Sequence, residues 1–280
     1  VDTSFNIGDG FNDNINAVEI QSDNKIILGG SFTEFNGSIA NRIIRLNEDG
    51  TRDINFTGSG FTKGVVQVIK IDDFGNIMAG GSFTGFYNGE DVNRLVLLNS
   101  NGIIKSDFNI DSGPGNNSVL SLAHDLEASW YIGGSFSAFD GQNQGRLAKV
   151  NEIGELDISY LSAGIGFDNA VWKVISLEDK KELVFGNFTK YNNTRVSRIA
   201  RLLKDGTLDN SFNTGQLGAN NLVTTAIKQT DGKIVLAGNF TKYNDALCNR
   251  ITRIFPDGSI DNTFNIGSGF NAQVNKIAIQ

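Results

Sequence analysis

Residues 1–21 read VDTSFNIGDGFNDNINAVEIQ, and residues 260–280 read IDNTFNIGSGFNAQVNKIAIQ, so the chain ends on the pattern with which it begins. Between these two copies the pattern returns at a nearly constant interval of 51 or 52 residues. One aromatic anchor marks each return: Phe5, Phe56, Phe108, Tyr160, Phe212 and Phe264. Internal repetition at such a period is typical of propellers and solenoids. The sequence therefore predicts an array of one structural unit.

Two further landmarks keep the same period. A second phenylalanine follows a glycine-rich step: Phe32, Phe83, Phe136, Phe188 and Phe240. An arginine recurs every 52 residues: Arg42, Arg94, Arg146, Arg198 and Arg250. We predict a single domain over 1–280, with five full repeats and a partial sixth: 1–51, 52–103, 104–155, 156–207, 208–259 and 260–280.

Each repeat has the pattern of short antiparallel strands. Apolar residues in INAVEIQ (15–21) recur with a period near two, and KIILGGSF (25–32) is a second β-rich run. Asp231-Gly232 and Asp49-Gly50 are turn signals, because both residue types tolerate positive φ. No helical stripe is present. We predict an all-β protein whose repeats each form a four-stranded antiparallel blade, and a unit of this size must stack on its neighbours as in a β-propeller.

Glycine pairs lie in the second strand of the first three repeats, at Gly29-Gly30, Gly80-Gly81 and Gly133-Gly134. Glycine inside a strand indicates close approach of another backbone, so we expect crowding there.

The recurrent arginine and a recurrent aspartate occur too often to be one active site. The aspartates are Asp2, Asp53, Asp157, Asp209 and Asp261, with Lys105 at the third repeat's position. An arginine can tie a strand to a neighbouring turn with several donors. We therefore predict structural roles for both.

Composition excludes several classes of protein. The chain has 33 glycines, two prolines and no three-residue period, so it is not collagen-like. With 24 basic against 31 acidic residues, the net charge of −7 gives no basic surface for nucleic acid. No apolar run reaches the length of a membrane-spanning helix. One cysteine, Cys248, cannot form an internal disulfide.

The motifs SFN.G.GF, KI..GGSFT.FNG and NRI.RLN.DG, repeated at this period, resemble the delta-60 repeat family. The resemblance covers the whole chain and implies a β-propeller. It also implies a setting in large secreted or cell-surface proteins of bacteria, or in virion proteins of tailed phages. The family implies no catalytic activity, so the resemblance gives a fold and a setting without a site.

Candidate ligand-binding residues are those that break the repeat pattern. His124 is the single histidine, which excludes a multi-histidine metal site; it is either a binding residue or an ordinary hairpin residue. Trp172 replaces a much smaller side chain of the first strand, and is either a sugar-stacking platform or part of the core. We expect Trp130 in the core. We expect no catalytic, cofactor-binding or metal-binding residues, and keep Trp172 and His124 as weak ligand-binding candidates.

Two alternatives involve carboxylates. Asp125 and Glu127 could act as a pair in glycoside hydrolysis, although the pattern favours a solvated turn. Acidic turns such as NEDGTRD (47–53) could bind calcium, but they lack the full ligand set of an EF-hand loop, and turn chemistry alone accounts for Asp-Gly.

The leading expectation is a non-enzymatic, extracellular or surface-exposed β-propeller that acts as a scaffold or recognises a protein or glycan on a cell surface. One alternative is a tailed-phage virion protein in host attachment or decoration. Another is a carbohydrate-active enzyme with a site on one propeller face. Because residues 260–280 repeat residues 1–21, one copy is surplus in a closed ring, so we also expect a longer chain or a larger assembly.

Overall fold

The structure is a computed structural model that describes residues 5, 8–160, 164–214 and 217–279. Every regular element in these ranges is a β-strand, as the sequence predicts. Among the described residues, no helix is long and apolar enough to cross a membrane. Asp2 lies outside the described residues.

The first two repeats contain nine strands: β1 (Ile15–Ile20), β2 (Ile26–Gly30), β3 (Glu34–Phe35), β4 (Ser38–Ile39), β5 (Ile43–Leu46), β6 (Phe61–Lys63), β7 (Val66–Ile71), β8 (Ile77–Tyr87) and β9 (Glu90–Leu98). The first repeat forms a three-stranded antiparallel sheet of order β1-β2-β5 and a two-stranded hairpin, β3-β4. The second forms a four-stranded sheet of order β6-β8-β7, in which β9 also pairs with β8.

The last three full repeats copy the first, each with a three-stranded sheet and a two-stranded hairpin. The third repeat contains β10 (Val119–His124), β11 (Trp130–Gly134), β12 (Ala138–Phe139), β13 (Gln142–Asn143) and β14 (Leu147–Val150). The fourth contains β15 (Val171–Ser176), β16 (Glu182–Gly186), β17 (Lys190–Tyr191), β18 (Thr194–Arg195) and β19 (Ile199–Leu202). The fifth contains β20 (Val223–Lys228), β21 (Ile234–Gly238), β22 (Lys242–Tyr243), β23 (Ala246–Leu247) and β24 (Ile251–Ile254).

The fourth strand predicted for each blade is reduced to a single bridge. Arg52 pairs with Leu46, and the other repeats have equivalent isolated bridges. The chain then turns, because the Asp53 carboxylate accepts a hydrogen bond from the backbone N–H of Asn55 at 2.8 Å. An aspartate two residues before its donor makes a local turn that competes with continued pairing. This turn favours an end to the pairing after Arg52. At Ile104 the pairing is equally short although Lys105 replaces the aspartate, so the turn is not its sole cause.

The core positions follow the repeat. The second phenylalanine landmark is fully buried in every full repeat: Phe32, Phe83, Phe136, Phe188 and Phe240 each have 0% exposure. The repeat in the sequence is thus a repeat of core positions.

The two glycines of each pair are required for different steric reasons. A Cβ on Gly29 would lie 2.5 Å from Cγ1 of Val66 in the next repeat, whereas a Cβ on Gly30 would lie 2.0 Å from the carbonyl oxygen of Asn14. The predicted crowding is confirmed. In the fourth repeat Phe185 occupies the first glycine's position, and β20 contributes Val223 and the small Ala226 to the same cluster. Ala226 stands where the second repeat has Ile69, so a smaller neighbour accompanies the larger Phe185.

The first strands of successive repeats lie side by side: β1 contacts β7, β7 contacts β10, β10 contacts β15, and β15 contacts β20. Residues near the end of the chain extend this series. Thr224 donates from its hydroxyl to the carbonyl of Val274 at 2.6 Å, just as the Asn16 amide donates to the carbonyl of Val66. The residues around Val274 therefore occupy the position of a sixth first strand.

The apolar side of β1 is exposed in the described structure. Val18 is 54% exposed, whereas its counterpart Ile69 in the second repeat is 3% exposed and packs against Gly29. Ile15 and Ile20 are also exposed. Their counterparts are covered because each later sheet packs against the sheet before it.

The recurrent arginine has an unusual backbone. Its φ is positive in every full repeat, from 64 to 72°. Arg42 donates from Nε to the carbonyl of Gly64 and from Nη1 to that of Phe61, both at 2.7 Å, and so ties the first repeat to the second. Arg146 and Arg250 instead donate to carbonyls in their own repeats, those of Ser135 and Asn239. The guanidinium therefore holds main chain, which supports the structural role predicted for it.

Arg42→Ala is expected to lower the free energy of unfolding by roughly 1 to 3 kcal/mol, because two carbonyls lose charged donors. Arg42→Gly loses the same bonds but relieves the positive φ, so it is expected to be less destabilised by about 1 kcal/mol. Urea unfolding of the two variants and the wild type measures both effects. This account would be contradicted if Arg42→Ala unfolded at the same urea concentration as the wild type, or if the two variants had equal unfolding midpoints.

Candidate functional site

The first strands of the five full repeats surround one cavity of about 450 Å³, which we call the central cavity. Its wall consists of residues from β1, β7, β10, β15 and β20, completed by residues 276–278. Because every repeat contributes its first strand, residues far apart in sequence meet here. The site is thus built by the stacking of repeats and not by any one of them.

A β-bulge shapes one end of this cavity. In each first strand the register shifts after the first residue, between Ile15 and Ala17 in β1 and at equivalent places in the others. The bulged residue has no partner in the ladder, and bulges commonly redirect side chains at sites. The bulged residues are Asn16, Gln67, Leu120, Trp172 and Thr224. All of them line an adjoining cavity of about 410 Å³, the bulge mouth, together with Asn275 and Lys276.

Trp172 therefore lies at the bulge mouth and not within the core. Its indole is the one aromatic ring among the described residues that line the bulge mouth and the central cavity. Neighbouring bulge positions carry the amides of Asn16 and Gln67 and the hydroxyl of Thr224. The Oε1 atom of Gln67 is buried without a hydrogen-bond partner in the described structure. This mouth combines an apolar ring with several polar groups.

His124 lies at the opposite end. It ends β10 and lines a smaller adjoining cavity of about 280 Å³ with Glu19, Lys70 and Lys173. Its ring packs 4.6 Å from the ring of Trp130, which is 1% exposed and belongs to the core as predicted. The structure thus places the two candidate residues of the sequence at opposite ends of one strand-lined space.

Asp125 and Glu127 are engaged elsewhere. The Asp125 carboxylate accepts hydrogen bonds from the backbone N–H groups of Glu127 and Ser129, which closes a turn. Glu127 forms ion pairs with Lys180 and Lys204, and these lysines lower the pKa of its carboxyl to about 2. Both carboxylates therefore have structural partners.

The central cavity contains a cluster of charges that the repeat does not require. Lys70, Lys173 and Lys276 line it together with Glu19. Burial lowers the pKa of Lys173 to about 8; repulsion from Lys276 and Lys70 adds to this shift, and attraction to Glu19 opposes it. Burial likewise raises the pKa of Glu19. Within the described residues, none of the three lysines forms a salt bridge.

The three lysines have no signal in the sequence that sets them apart. Lys173 and Lys276 hold the third position of a first strand, where the other repeats carry Ala17, Val68, Ser121 and Thr225. A single lysine on a short strand is an ordinary surface residue by pattern. Only the meeting of separate repeats brings these ammonium groups together.

The acidic turns use their carboxylates locally. Asp49 accepts bonds from the N–H and hydroxyl of Thr51, and Asp205 and Asp257 repeat this arrangement with Thr207 and Ser259. The recurrent aspartates pair with a second series of arginines: Arg45–Asp53 at 2.9 Å, Arg201–Asp209 at 2.9 Å and Arg253–Asp261 at 2.8 Å. Across the described ranges, no three potential metal ligands cluster.

A family described as a domain of unknown function (DUF5122) beta-propeller matches five stretches of the sequence, which together exceed half of it: 21–56, 75–103, 129–160, 178–212 and 229–264. The chain belongs to this β-propeller family. The matched stretches recur with the repeats and cover most of the sheets described above. Among curated proteins, none matches the chain.

Solved structures show the same fold at low identity. A protein of unknown function from Bacteroides caccae is similar at 12% identity and a TM-score of 0.52, over 88% of this propeller and 79% of that chain. A virginiamycin B lyase from Staphylococcus aureus is similar at 14% identity and a TM-score of 0.50, over 90% of this chain and 71% of the lyase chain. The WD40 β-propeller domain of Doa1 is similar at 11% identity and a TM-score of 0.50, over 88% of this chain and 84% of that domain's chain. These likenesses concern architecture alone.

Proposed function

We propose that this propeller is a non-catalytic recognition module that binds a saccharide at the bulge mouth. The carrying observation is the position of Trp172, an aromatic ring that breaks the repeat and lines the bulge mouth beside side-chain amides and a hydroxyl. Aromatic faces pack against the apolar faces of sugar rings. A few placed polar groups in a concave site then fix orientation.

The polar neighbours of Trp172 suit sugar hydroxyls. Gln67 offers an Oε1 acceptor that has no partner among the described residues. Asn16 and Thr224 use their side chains to donate to main-chain carbonyls, and Asn275 accepts from Gln273, so these three offer their remaining donor or acceptor positions. Because the hydroxyl groups of a saccharide both donate and accept, they match such a mixed set. A purely apolar ligand would leave the Oε1 atom of Gln67 without a partner.

The carboxylates favour binding over glycoside hydrolysis. Glu19 is the one carboxylate among the described residues that line the central cavity. Glycosidases commonly use two carboxylates flanking the scissile bond. Asp125 and Glu127 are held in a turn and in ion pairs, so no second carboxylate accompanies Glu19 among the described residues of this cavity.

The setting we propose is extracellular or on a cell surface, with a surface glycan as the partner. The resemblance to delta-60 repeats supports this setting, and the same resemblance keeps a tailed-phage virion as the alternative. A concave central cavity with a further cavity adjoining it at each end suits a module that takes such ligands.

A glycan array followed by calorimetry tests the proposal. We expect the wild type to retain at least one saccharide, and Trp172→Ala to weaken its binding by about tenfold, because the stacking surface is lost. Phe74→Ala is the matched control and should bind like the wild type. It removes an aromatic ring that is 77% exposed and that lies between β7 and β8, at the other end of β7 from the bulge.

Two results would overturn the proposal. Absence of any retained saccharide, or equal affinity of the wild type and Trp172→Ala, would remove the binding role assigned to this mouth. Release of shorter products during incubation with oligosaccharides would contradict the non-catalytic part.

A further inference from the structure

The central cavity is positively charged in an acidic protein. The whole chain has a net charge of −7, yet its central cavity contains three lysines and a single glutamate among the described lining residues. Charge of one sign collected inside a concave wall attracts the opposite charge. The charge of the cavity lining is therefore opposite in sign to the net charge of the chain.

The lysines are not needed to build the repeat. Lys173 and Lys276 hold a position that is filled in the other repeats by Ala17, Val68, Ser121 and Thr225, and those repeats form their first strands without a lysine there. Partial burial and mutual repulsion make two neighbouring ammonium groups unfavourable at this position. A bound anion would offset both effects, since Glu19 alone does not balance three positive charges.

The lysines adjoin the proposed saccharide site. Lys276 lines both the bulge mouth and the central cavity, whereas Lys173, one residue beyond Trp172 in β15, lines the central cavity and the cavity at the His124 end. A saccharide that stacks on Trp172 and continues into the central cavity would thus pass Lys276 and reach Lys173. Carboxylates form charge-assisted hydrogen bonds with ammonium groups.

We infer that the saccharide extends from the bulge mouth into the central cavity and is acidic, and that Lys276 and Lys173, which line the central cavity together, hold the carboxylate of a uronic acid residue there. This inference rests on the proposed function, because it names the class of saccharide that the same mouth takes. Lys70, which lines the cavity from β7, adds to the positive potential.

Calorimetry with trigalacturonate and its methyl ester tests the inference, because the ester keeps the rings and removes the charge. We expect the acid to bind the wild type at least tenfold more tightly than the ester. Lys173→Met should reduce this ratio to about twofold while leaving ester binding unchanged. Lys63→Met is the control, since Lys63 is an exposed lysine on β6, and it should keep the wild-type ratio.

Each outcome separates this inference from the proposed function. If a neutral saccharide binds through Trp172 and trigalacturonate does not, the inference is wrong and the proposed function stands. If Lys173→Met weakens acid and ester equally, the lysine is structural and the inference is wrong. If no saccharide binds at all, both fail. Binding of a carboxyl-terminal peptide in place of the acid saccharide would also overturn the inference.

A pH series gives a second readout that a structural lysine would not produce. Lys173 faces Glu19 on β1, Lys70 on β7 and Lys276, and shares the adjoining cavity with His124 on β10 and Lys228 on β20. Since the pKa of Lys173 is about 8, its ammonium group is lost as pH rises through that value. Affinity for the acid should fall over this range and affinity for the ester should not. A parallel fall for both ligands would contradict the inference.

Discussion

Gly134→Ala is expected to lower the free energy of unfolding by roughly 3 kcal/mol or more, at the upper end of single-residue effects. A Cβ at this glycine would lie 2.2 Å from the carbonyl oxygen of Ser118, a distance that real side chains do not reach. That carbonyl cannot move away freely, because it accepts a hydrogen bond from the N–H of Ser135 at 2.9 Å. The added methyl group must therefore separate β11 from the segment that enters β10.

Gly141→Ala is the matched control within the same repeat. Gly141 has a φ of 72°, and a Cβ there would have no heavy atom within 4 Å. Its substitution adds backbone strain without a clash, so we expect a cost of about 1 kcal/mol. Urea unfolding of both variants measures the difference. Similar midpoints for the two variants would show that the sheet can absorb the extra atom and that the steric account is wrong.

These glycines show how much of the fold the sequence predicts. Repetition at about 52 residues, alternating apolar residues and Asp-Gly turns predict the strands and their crowding at Gly133-Gly134. The length of the fourth strand is not predicted. Arg52 is followed by Asp53, whose carboxylate captures the N–H of Asn55, and this local competition is not visible in strand propensity.

The site is predicted only in part, for a physical reason. Trp172 attracts attention because it breaks the repeat with a large side chain. The neighbouring Lys173 gives no such signal in the sequence. The charged residues around it come from β1, β7 and the segment near Lys276, each of which is more than a hundred positions away along the chain. A repeat array brings equivalent positions to one axis, so charges that are unremarkable in single repeats become a cluster only when the repeats stack.

Glu182 is a second residue whose environment the sequence does not reveal. It begins β16 at the position held by Ile26, Ile77 and Ile234 in other repeats, and it is 0% exposed. The hydroxyl of Tyr160 donates to its Oε2 atom at 3.2 Å, while Oε1 is buried without a partner among the described residues. A buried carboxylate with one neutral donor is poorly compensated.

Burial raises the pKa of Glu182 from 4.5 to about 7, although Tyr131, Tyr160 and Lys149 act in the opposite direction. Between these two values the folded protein binds more protons at this position than the unfolded chain does. The stability that Glu182 contributes therefore falls as pH rises from about 4.5 to about 7 and is constant above that range.

Glu182→Gln is consequently expected to raise the free energy of unfolding by roughly 2 kcal/mol above about pH 7, because an amide avoids the buried charge and still accepts from Tyr160. Below about pH 4.5 the wild-type carboxyl is neutral in both states, so the difference between variant and wild type should vanish there. Urea unfolding across this pH range measures the change.

Glu127→Gln is the control of opposite sign. Lys180 and Lys204 lower the pKa of Glu127, so its removal should not stabilise the protein at neutral pH. The ammonium group of Lys149 lies over the rings of Tyr131 and Tyr160. If Glu182→Gln lowered the free energy of unfolding at every pH, Lys149 would have to stabilise the charged carboxylate more strongly than this position allows, and the prediction would be wrong. A stabilisation that did not depend on pH would point to packing, because only loss of the buried charge predicts an effect that develops between the two pKa values.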